Sequence, residues 1–408
     1  MQLIKIILMS ILLSFLNNIK AQSGDDLLSK GIERFEKEDY ELAIDLFTKA
    51  VDADQDLYEA WLYKGRCHII YQQYEQALKD INTALKLKND YADAYLFRGN
   101  ILAYNNKDKE ALKDYNKAIE LNPIFKDAYL QRAQLHIKME DQKSAMEDLN
   151  IAISWNIKDA DVYYNRADLY YRIWGDCNKA ILDYSKAIEL DSSFFDAYYY
   201  RGLCREKLKL YKEAAEDFGK AIKINVNQKD LYVKRANLLF FSESWKEAIE
   251  VYNVLINKFK ERDDMLYLNR GICYNRMSNF SLAEKDLSKA LLFYRESGDA
   301  FFERGYSYYM QKKYATAEKD FANAINFSPK NYKFYEYRAM LYYDTKKFTQ
   351  AIEYFSKALK FKEEAEIYYK RGLCNEAMNN KAAACDDYTK GAALDSKNCK
   401  LKINKLCK

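Results

Sequence analysis

The sequence is poor in the residues that commonly mark catalytic sites. Its 408 residues include two histidines, two prolines and twelve glycines. The chain contains no nucleophile motif, no glycine loop of the kind that binds phosphate and no closely spaced set of metal ligands. These absences predict a protein that is not an enzyme and that binds neither a cofactor nor a metal ion.

No sign of charge dominates the chain either. Lys and Arg together number 65 and Asp and Glu number 61, so the formal net charge is +4, and both signs are mixed along the whole length. A nucleic-acid-binding surface needs a basic patch or stripe. The charge balance therefore argues against nucleic acid as a partner.

One long apolar run lies near the N-terminus, and no later run has the length of a membrane span. The run from Ile6 to Leu16 follows Lys5 and precedes two asparagines and Ala21, which is the layout of a secretory signal. The run is short for a membrane span, which needs about 20 residues; an uncleaved anchor is the alternative. We expect a signal peptide at residues 1–21, cleaved after Ala21, and a mature chain without a membrane span. That chain would be secreted or periplasmic, or in the ER lumen or outside the cell in a eukaryote.

The chain does contain one pattern that recurs along its length. From Asp93 to Pro123, apolar and small residues follow helical spacing, stop at a polar turn and resume, which predicts a helical hairpin. The small residues Gly99 and Ala111 face each other in this hairpin and allow close approach of the two backbones. Counterparts of Gly99 recur at steps of 33 to 35 residues, at Gly31, Gly65, Ala133, Ala167, Gly202, Ala236, Gly271, Gly305, Ala339 and Gly372.

This period, with its aromatic, small and proline positions, resembles the tetratricopeptide repeat. The resemblance implies an all-α fold, a right-handed α-solenoid of eleven helical hairpins with a short capping helix. The repeat array would cover residues 22–396 and the capping helix residues 397–408. The hairpins are expected to start near residues 24, 58, 92, 126, 160, 195, 229, 264, 298, 332 and 365.

Eight cysteines occur in the chain. Four of them, Cys67, Cys204, Cys273 and Cys374, occupy a repeat position that is filled elsewhere by Ile101 or a leucine, so we expect buried thiols there. Cys177 falls near the turn of the fifth hairpin, and its role stays open.

The last cysteines suggest a covalent link at the C-terminal end. Because antiparallel helices bring together residues equidistant from their turn, Cys385 of the last hairpin comes level with Cys407 of the final helix. A bond between Cys399 and Cys407 is excluded, since eight helical residues rise about 12 Å and a disulfide needs Cα atoms within roughly 7 Å. We predict a Cys385–Cys407 disulfide, with Cys374 as the competing partner.

Two charged positions recur beside the packing residues. An arginine precedes the first small residue in nine repeats, and an aspartate follows the second small residue by three positions in eight. The two lie at nearly the same distance from the turn, which predicts an ion pair across seven hairpins. A ladder of arginines for anionic ligands is the alternative. The histidines, His68 and His136, occupy a position filled elsewhere by Leu102 or Tyr170, so we expect them to be packing residues.

One further stripe of the first helices is a candidate ligand-binding surface. It is aliphatic or polar in the early repeats and becomes aromatic later in the chain. Tyrosine provides a large apolar area and a hydroxyl group, which suits an extended peptide or a sugar face. Contact between successive first helices is the alternative role for these residues. The aromatic positions are Tyr164, Tyr171, Tyr199, Phe240, Phe302, Tyr306, Tyr309 and Tyr343.

These observations predict a non-enzymatic interaction scaffold that binds a polypeptide through a concave groove in the cell envelope or secretory space. The alternatives are a glycan-associated helper that uses the aromatic groove and a structural spacer whose aromatic residues are all packed. The identity of the partner, its chemical class and the oligomeric state do not follow from the sequence.

Overall fold

The computed structural model describes residues 23–155, 158–261 and 263–407. The predicted signal peptide at residues 1–21 lies outside the described residues. Within them the secondary structure consists of twenty-three helices and contains no strand. In chain order the helices are α1 Gly24–Glu36, α2 Tyr40–Ala53, α3 Tyr58–Ile70, α4 Tyr74–Leu87, α5 Ala92–Tyr104, α6 Asp108–Leu121, α7 Lys126–Lys138, α8 Gln142–Ser154, α9 Ala160–Arg172, α10 Cys177–Leu190, α11 Phe195–Lys207, α12 Tyr211–Ile224, α13 Lys229–Phe241, α14 Trp245–Asn257, α15 Asp264–Arg276, α16 Phe280–Phe293, α17 Gly298–Met310, α18 Tyr314–Phe327, α19 Tyr332–Asp344, α20 Phe348–Leu359, α21 Ala365–Ala377, α22 Lys381–Ala393 and α23 Lys397–Leu406.

The helices pack as consecutive hairpins, from α1 with α2 to α21 with α22, and α23 packs on α22. The all-α fold and its repeating hairpins are thus confirmed. The chain divides into two compact units after Ser192. The first unit contains five hairpins, and the second contains six hairpins and α23.

Each hairpin turns through one residue in the left-handed region. In the third hairpin this residue is Asn106 with φ 58°, and the Lys107 N–H then donates to the Leu102 carbonyl at 2.8 Å. The fifth hairpin, which has an extra residue in its turn, uses Gly175 with φ 64°. The same local geometry therefore ends the first helix of each hairpin by capping its free carbonyl groups.

The small positions set the distance between the two helices of a hairpin. A Cβ atom added at Gly99 would lie 2.7 Å from the ring of Tyr115, and Ala111 is fully buried. Tyr115 therefore fills the space above the glycine, and a larger residue at position 99 would push the helices apart.

Helix α23 covers the free side of the last hairpin. The Cys399 side chain is buried against Gly391, and Ile403 and Leu406 pack on the same cluster. Cys385 and Cys407 form a disulfide, with Cα atoms 5.7 Å apart, whereas Cys374 and Cys399 are free and buried.

Candidate binding cleft

The structure separates the eight aromatic residues of the candidate stripe. All of them are partly buried. Phe302, Tyr306 and Tyr309 gather around the ring of Tyr337, with centroid distances of 5.2, 5.6 and 6.5 Å. Of the other five, Tyr343 lies on α19 with Tyr337 but packs elsewhere, and the remaining four lie in earlier hairpins.

Several of the predicted residues are held by local packing. Tyr343 packs edge-on against Phe348, and Phe240 packs edge-on against Trp245. Tyr309 donates a hydrogen bond to Asp344 and lies near Tyr314. Their rings therefore contribute to hairpin packing.

Phe302 and Tyr306 line an open cleft of about 510 Å³ in the second unit. We call it the aromatic cleft. Its walls come from α15, α17 and α19 and from the residue before α21, which are the first-helix sides of four successive hairpins. The lining residues are Arg276, Phe302, Tyr306, Tyr332, Lys333, Glu336, Tyr337 and Glu364.

Helical spacing explains why these side chains face one space. Phe302 and Tyr306 lie four positions apart on α17, and Tyr332 and Glu336 lie four positions apart on α19, so each pair shares one helix face, while Tyr337 borders the face of Glu336. Phe302 also stacks on the buried ring of Phe334 at 4.8 Å. The aromatic wall is thus anchored in the core of the adjacent hairpin.

A buried polar network supports one end of the cleft. The Glu303 carboxylate is buried and accepts hydrogen bonds from Arg276 Nη2 and Asn275 Nδ2, each at 2.9 Å. Ser307 donates to Asn275 Oδ1 at 2.6 Å. The charge of Arg276 is therefore neutralised within the protein.

A second network neutralises the carboxylate at the other end. The Tyr332 hydroxyl donates to Glu364 Oε1 at 2.8 Å, and Lys362 forms an ion pair with the same carboxylate. The hydrogen bond and charge of Lys362 lower the pKa of Glu364 below its ordinary value. Glu364 is thus held ionised and paired.

Glu336 differs from both of these carboxylates. Within the part of the chain that the structure describes, its side chain forms no hydrogen bond and no ion pair. Burial raises the pKa of Glu336, and the nearby charge of Glu364 adds to this effect, while Lys333 acts in the opposite direction. Lys333 is exposed and lies beyond ion-pair distance. The cleft therefore contains one partly buried carboxylate without a counter-ion.

Sequence reasoning missed Glu336, Tyr337, Tyr332, Arg276 and Glu364 as cleft residues. Tyr337 lies one position after a stripe residue, so the spacing that defines the stripe does not include it. Glu336, in contrast, lies on the stripe itself, three positions before Ala339. The equivalent residues in the other hairpins are apolar or aromatic: Leu28, Leu62, Leu96, Leu130, Tyr164, Tyr199, Val233, Leu268, Phe302 and Tyr369. The sequence signal that could have identified Glu336 is its charge at a repeat position that is otherwise apolar or aromatic.

The recurring arginine and aspartate residues form the predicted ion pairs. In all seven hairpins the guanidinium donates to both carboxylate oxygens, with N–O distances from 2.5 to 3.2 Å. The second hairpin has Lys64 in place of arginine, and there Asp80 contacts His68 Nδ1 at 2.8 Å. The prediction of a structural pair is confirmed, and His68 is a partner within this framework.

The described residues provide few groups suited to nucleophilic catalysis or metal binding. Burial raises the pKa of the Cys67, Cys273 and Cys374 thiols to about 12, so they are poor nucleophiles. No group of three potential metal ligands occurs in residues 23–155, 158–261 and 263–407. None of the helices in these ranges is long and apolar enough to cross a bilayer.

Similarity to known proteins agrees with this architecture. Tetratricopeptide repeat profiles match residues 28–70, 92–125, 126–156, 195–227, 268–331, 332–364 and 365–398, and a TPR repeat profile matches residues 174–209. Together the matches cover more than half of the chain.

Individual relatives are more distant. The chain is 31% identical over 131 residues to tetratricopeptide repeat protein 16 of Mus musculus, and the match covers 29% of this chain and 17% of that protein. The chain thus spans less than a fifth of that relative's length.

Two solved structures are also similar. The APC/C hetero-tetramer Cut9-Hcn1 shares 13% identity, with 96% of this chain and 98% of that chain covered and a TM-score of 0.44. YrrB, described as a TPR protein with an unusual peptide-binding site, shares 27% identity, with 50% of this chain and 99% of that chain covered and a TM-score of 0.37. On its repeat matches and its helical hairpins, the chain belongs to the tetratricopeptide repeat family.

Proposed function

We propose that the protein is a non-enzymatic scaffold that binds a polypeptide segment in the aromatic cleft. Proteins of this family are generally scaffolds for protein–protein interactions. The observation that carries the proposal is the open cleft of about 510 Å³, in which Phe302, Tyr306, Tyr332 and Tyr337 combine apolar area with hydroxyl groups. Binding pockets typically join such apolar surface with a few placed polar groups.

The charges of the lining favour a polypeptide over a glycan. Arg276, Lys333, Glu336 and Glu364 all line the cleft, and a neutral glycan offers no complementary charge to any of them. A purely structural spacer would need these rings to be covered by neighbouring helices, whereas Phe302 and Tyr306 face an open space.

Selection from a random twelve-residue peptide library tests this proposal on the full-length chain. We expect enriched peptides whose affinity falls at least tenfold in the Tyr306→Ala and Tyr337→Ala variants, because an aromatic anchor is worth more than about 1.4 kcal/mol at a binding hot spot. The matched control is Phe240→Ala, which removes a stripe residue outside the cleft. Enriched peptides that bind all three variants equally, or no enrichment, would overturn the proposal.

We also propose that the protein acts in the cell envelope or secretory space. The support is the predicted signal peptide at residues 1–21 and the Cys385–Cys407 disulfide, since disulfides persist in oxidising compartments. N-terminal sequencing of the protein purified from its native cells should begin at Gln22. A sequence that begins at the initiator methionine would contradict this location.

A further inference from the structure

Glu336 introduces a charge where the repeat otherwise has an apolar side chain. Five hairpins carry leucine at the equivalent position, and each of those leucines is buried. A partly buried carboxylate without a counter-ion costs stability, because burial removes water that would solvate the charge. Packing alone therefore gives no reason for a glutamate at position 336.

The other charges that line the cleft are already neutralised or exposed. Arg276 is paired with Glu303, and Glu364 is paired with Lys362. Lys333 extends into solvent. A cationic group that enters the cleft would thus meet one unpaired carboxylate, Glu336.

The aromatic lining also suits a cation. Ammonium and guanidinium groups are attracted to the faces of aromatic rings within about 6 Å of the centroid. The cleft shows this at its edge, where the Lys362 ammonium lies 4.8 Å from the centroid of the Tyr332 ring.

The first unit contains an internal example of the same chemistry. The Arg66 guanidinium lies 4.6, 4.8 and 4.7 Å from the ring centroids of Phe35, Tyr63 and Phe97. Arg66 immediately follows the small residue Gly65, as Tyr306 follows Gly305, and Tyr63 and Tyr337 also occupy equivalent positions. At this place in the repeat the second hairpin supplies its own cation to the rings, whereas the ninth hairpin supplies Tyr306 beside an open cleft.

We infer that the aromatic cleft selects polypeptide segments that present a lysine or arginine side chain, with Glu336 as the counter-ion of that side chain. The inference rests on the proposed function, because it specifies which polypeptides the cleft accepts. The bound cation forms a charge-assisted hydrogen bond with Glu336 and contacts the surrounding rings. It thereby replaces the water that burial has removed from the carboxylate.

The test uses peptides from the library selection that depend on Tyr306, so the proposed function is established before the charge is examined. In these peptides the critical lysine is replaced by norleucine, which keeps most of the chain length and removes the charge. We expect a loss of affinity of about tenfold or more, since hydrogen bonds to charged groups are among the stronger contacts in proteins. The Glu336→Gln variant should show the same loss with the lysine peptide.

The two changes should not add in a double-mutant cycle. The norleucine peptide should bind wild type and Glu336→Gln with equal affinity, because either change already removes the charge pair. A glutamate in place of the peptide lysine should restore binding to Glu336→Lys. The matched control is Glu366→Gln, which removes a nearby exposed carboxylate that does not line the cleft and should bind as wild type.

Two results would overturn the inference in different ways. If the peptides require Tyr306 but bind Glu336→Gln as tightly as wild type, the charge selection is wrong and the proposed function stands. If no peptide depends on Tyr306, both fail. The Glu336→Leu variant separates loss of the charge from loss of the fold, because leucine is the residue that five other hairpins carry at this position. This variant should fold and should lose the preference for lysine.

Discussion

Two neighbouring hairpins, α13 with α14 and α15 with α16, each carry an arginine at the same repeat position. The arginine is fully paired in the second of these hairpins but not in the first. Arg270 is only 8% exposed, and its guanidinium donates to Asp286 at 2.6 and 2.8 Å and to Asn253 at 2.6 Å. Arg235 occupies the equivalent position in the preceding hairpin. Its Nε atom is buried and has no hydrogen-bond partner in the described residues.

Both partners of Arg235 have been replaced. Val251 occupies the position of Asp286, and Gly219 occupies the position of Asn253. A Cβ atom added at Gly219 would lie 3.1 Å from the Arg235 guanidinium carbon, so the guanidinium lies directly over the glycine. The helices still pair in this hairpin. The comparison therefore shows that the small packing residues form the hairpin, while the ion pair satisfies a charge that the packing has buried.

The tenth hairpin lies between these two cases. Tyr354 occupies the aspartate position there, and the Arg338 guanidinium carbon lies 4.5 Å from the centroid of its ring. Glu318 from the ninth hairpin approaches Arg338 to 3.7 Å. A ring and a more distant carboxylate thus stand in for the bidentate partner.

The largest expected effect is the loss of a partner from a complete pair. Asp286→Ala should lower the free energy of unfolding by about 3–5 kcal/mol, because it leaves Arg270 buried without its counter-ion. Replacing Arg270 by Met and Asp286 by Leu together should cost much less, since no unpaired charge is left. Urea denaturation measures both changes. The control is Arg235→Met, expected to be neutral or slightly stabilising; a cost as large as that of Asp286→Ala would contradict the comparison.

The cap offers a covalent counterpart to these pairs. Helix α23 packs on α22 and is linked to it by the Cys385–Cys407 disulfide. Removing the disulfide through Cys385→Ser and Cys407→Ser should lower the opening free energy of α22 and α23 by about 3 kcal/mol, the value for a loop of this size. Native-state hydrogen exchange measures the change. Unaltered protection of α22 would contradict the prediction.

Supplying the missing partner should produce a smaller effect of opposite sign. Val251→Asp restores the aspartate opposite Arg235 and should raise the free energy of unfolding by about 1 kcal/mol, because the new hydrogen bonds exceed the lost burial of one valine. In the Arg235→Met background the same change should be destabilising, since the aspartate is then unpaired. Thermal denaturation of the four proteins gives the coupling energy, and a coupling near zero would show that the two side chains do not meet.

The fold was predictable because its signal is repeated. Gly99 or Ala111 alone would be ambiguous, but counterparts at a constant period require one packing arrangement throughout. The Arg–Asp pairs followed from the same register, because residues at equal distance from a turn are adjacent in any antiparallel hairpin.

The cleft was less predictable because the exposure of a side chain depends on its neighbours, and its position in the repeat does not specify them. Tyr306 and Tyr343 belong to the same candidate stripe, yet Tyr343 packs on Phe348 of its own hairpin and Tyr306 lines an open space. A ring's partner is set by its rotamer and by the size of adjacent side chains, which vary from repeat to repeat. Comparison of equivalent positions for charge, as at Glu336, recovers part of this information.

The smallest expected effect concerns Glu336, the unpaired charge of the cleft. Its pKa is raised by burial and by the charges of Glu364 and Glu366, against the opposing charges of Lys333 and Lys362. The folded chain therefore binds this proton at a pH where the unfolded chain has released it. Stability falls as pH rises through that window, and the ionised carboxylate destabilises the fold at neutral pH.

Glu336→Gln should consequently raise the free energy of unfolding at pH 7, by less than about 1 kcal/mol because the group is partly solvated. The gain should disappear below the ordinary glutamate pKa of 4.5, where wild type is neutral at this position too. Urea denaturation at pH 7 and pH 4 measures the difference, with Glu296→Gln as the control, because Glu296 is exposed and its charge does not act on Glu336. If Glu336→Gln instead lowers stability at pH 7, Glu336 has a partner within the fold. Glu336 would then be a paired charge like Asp286, and not an unpaired one like Arg235.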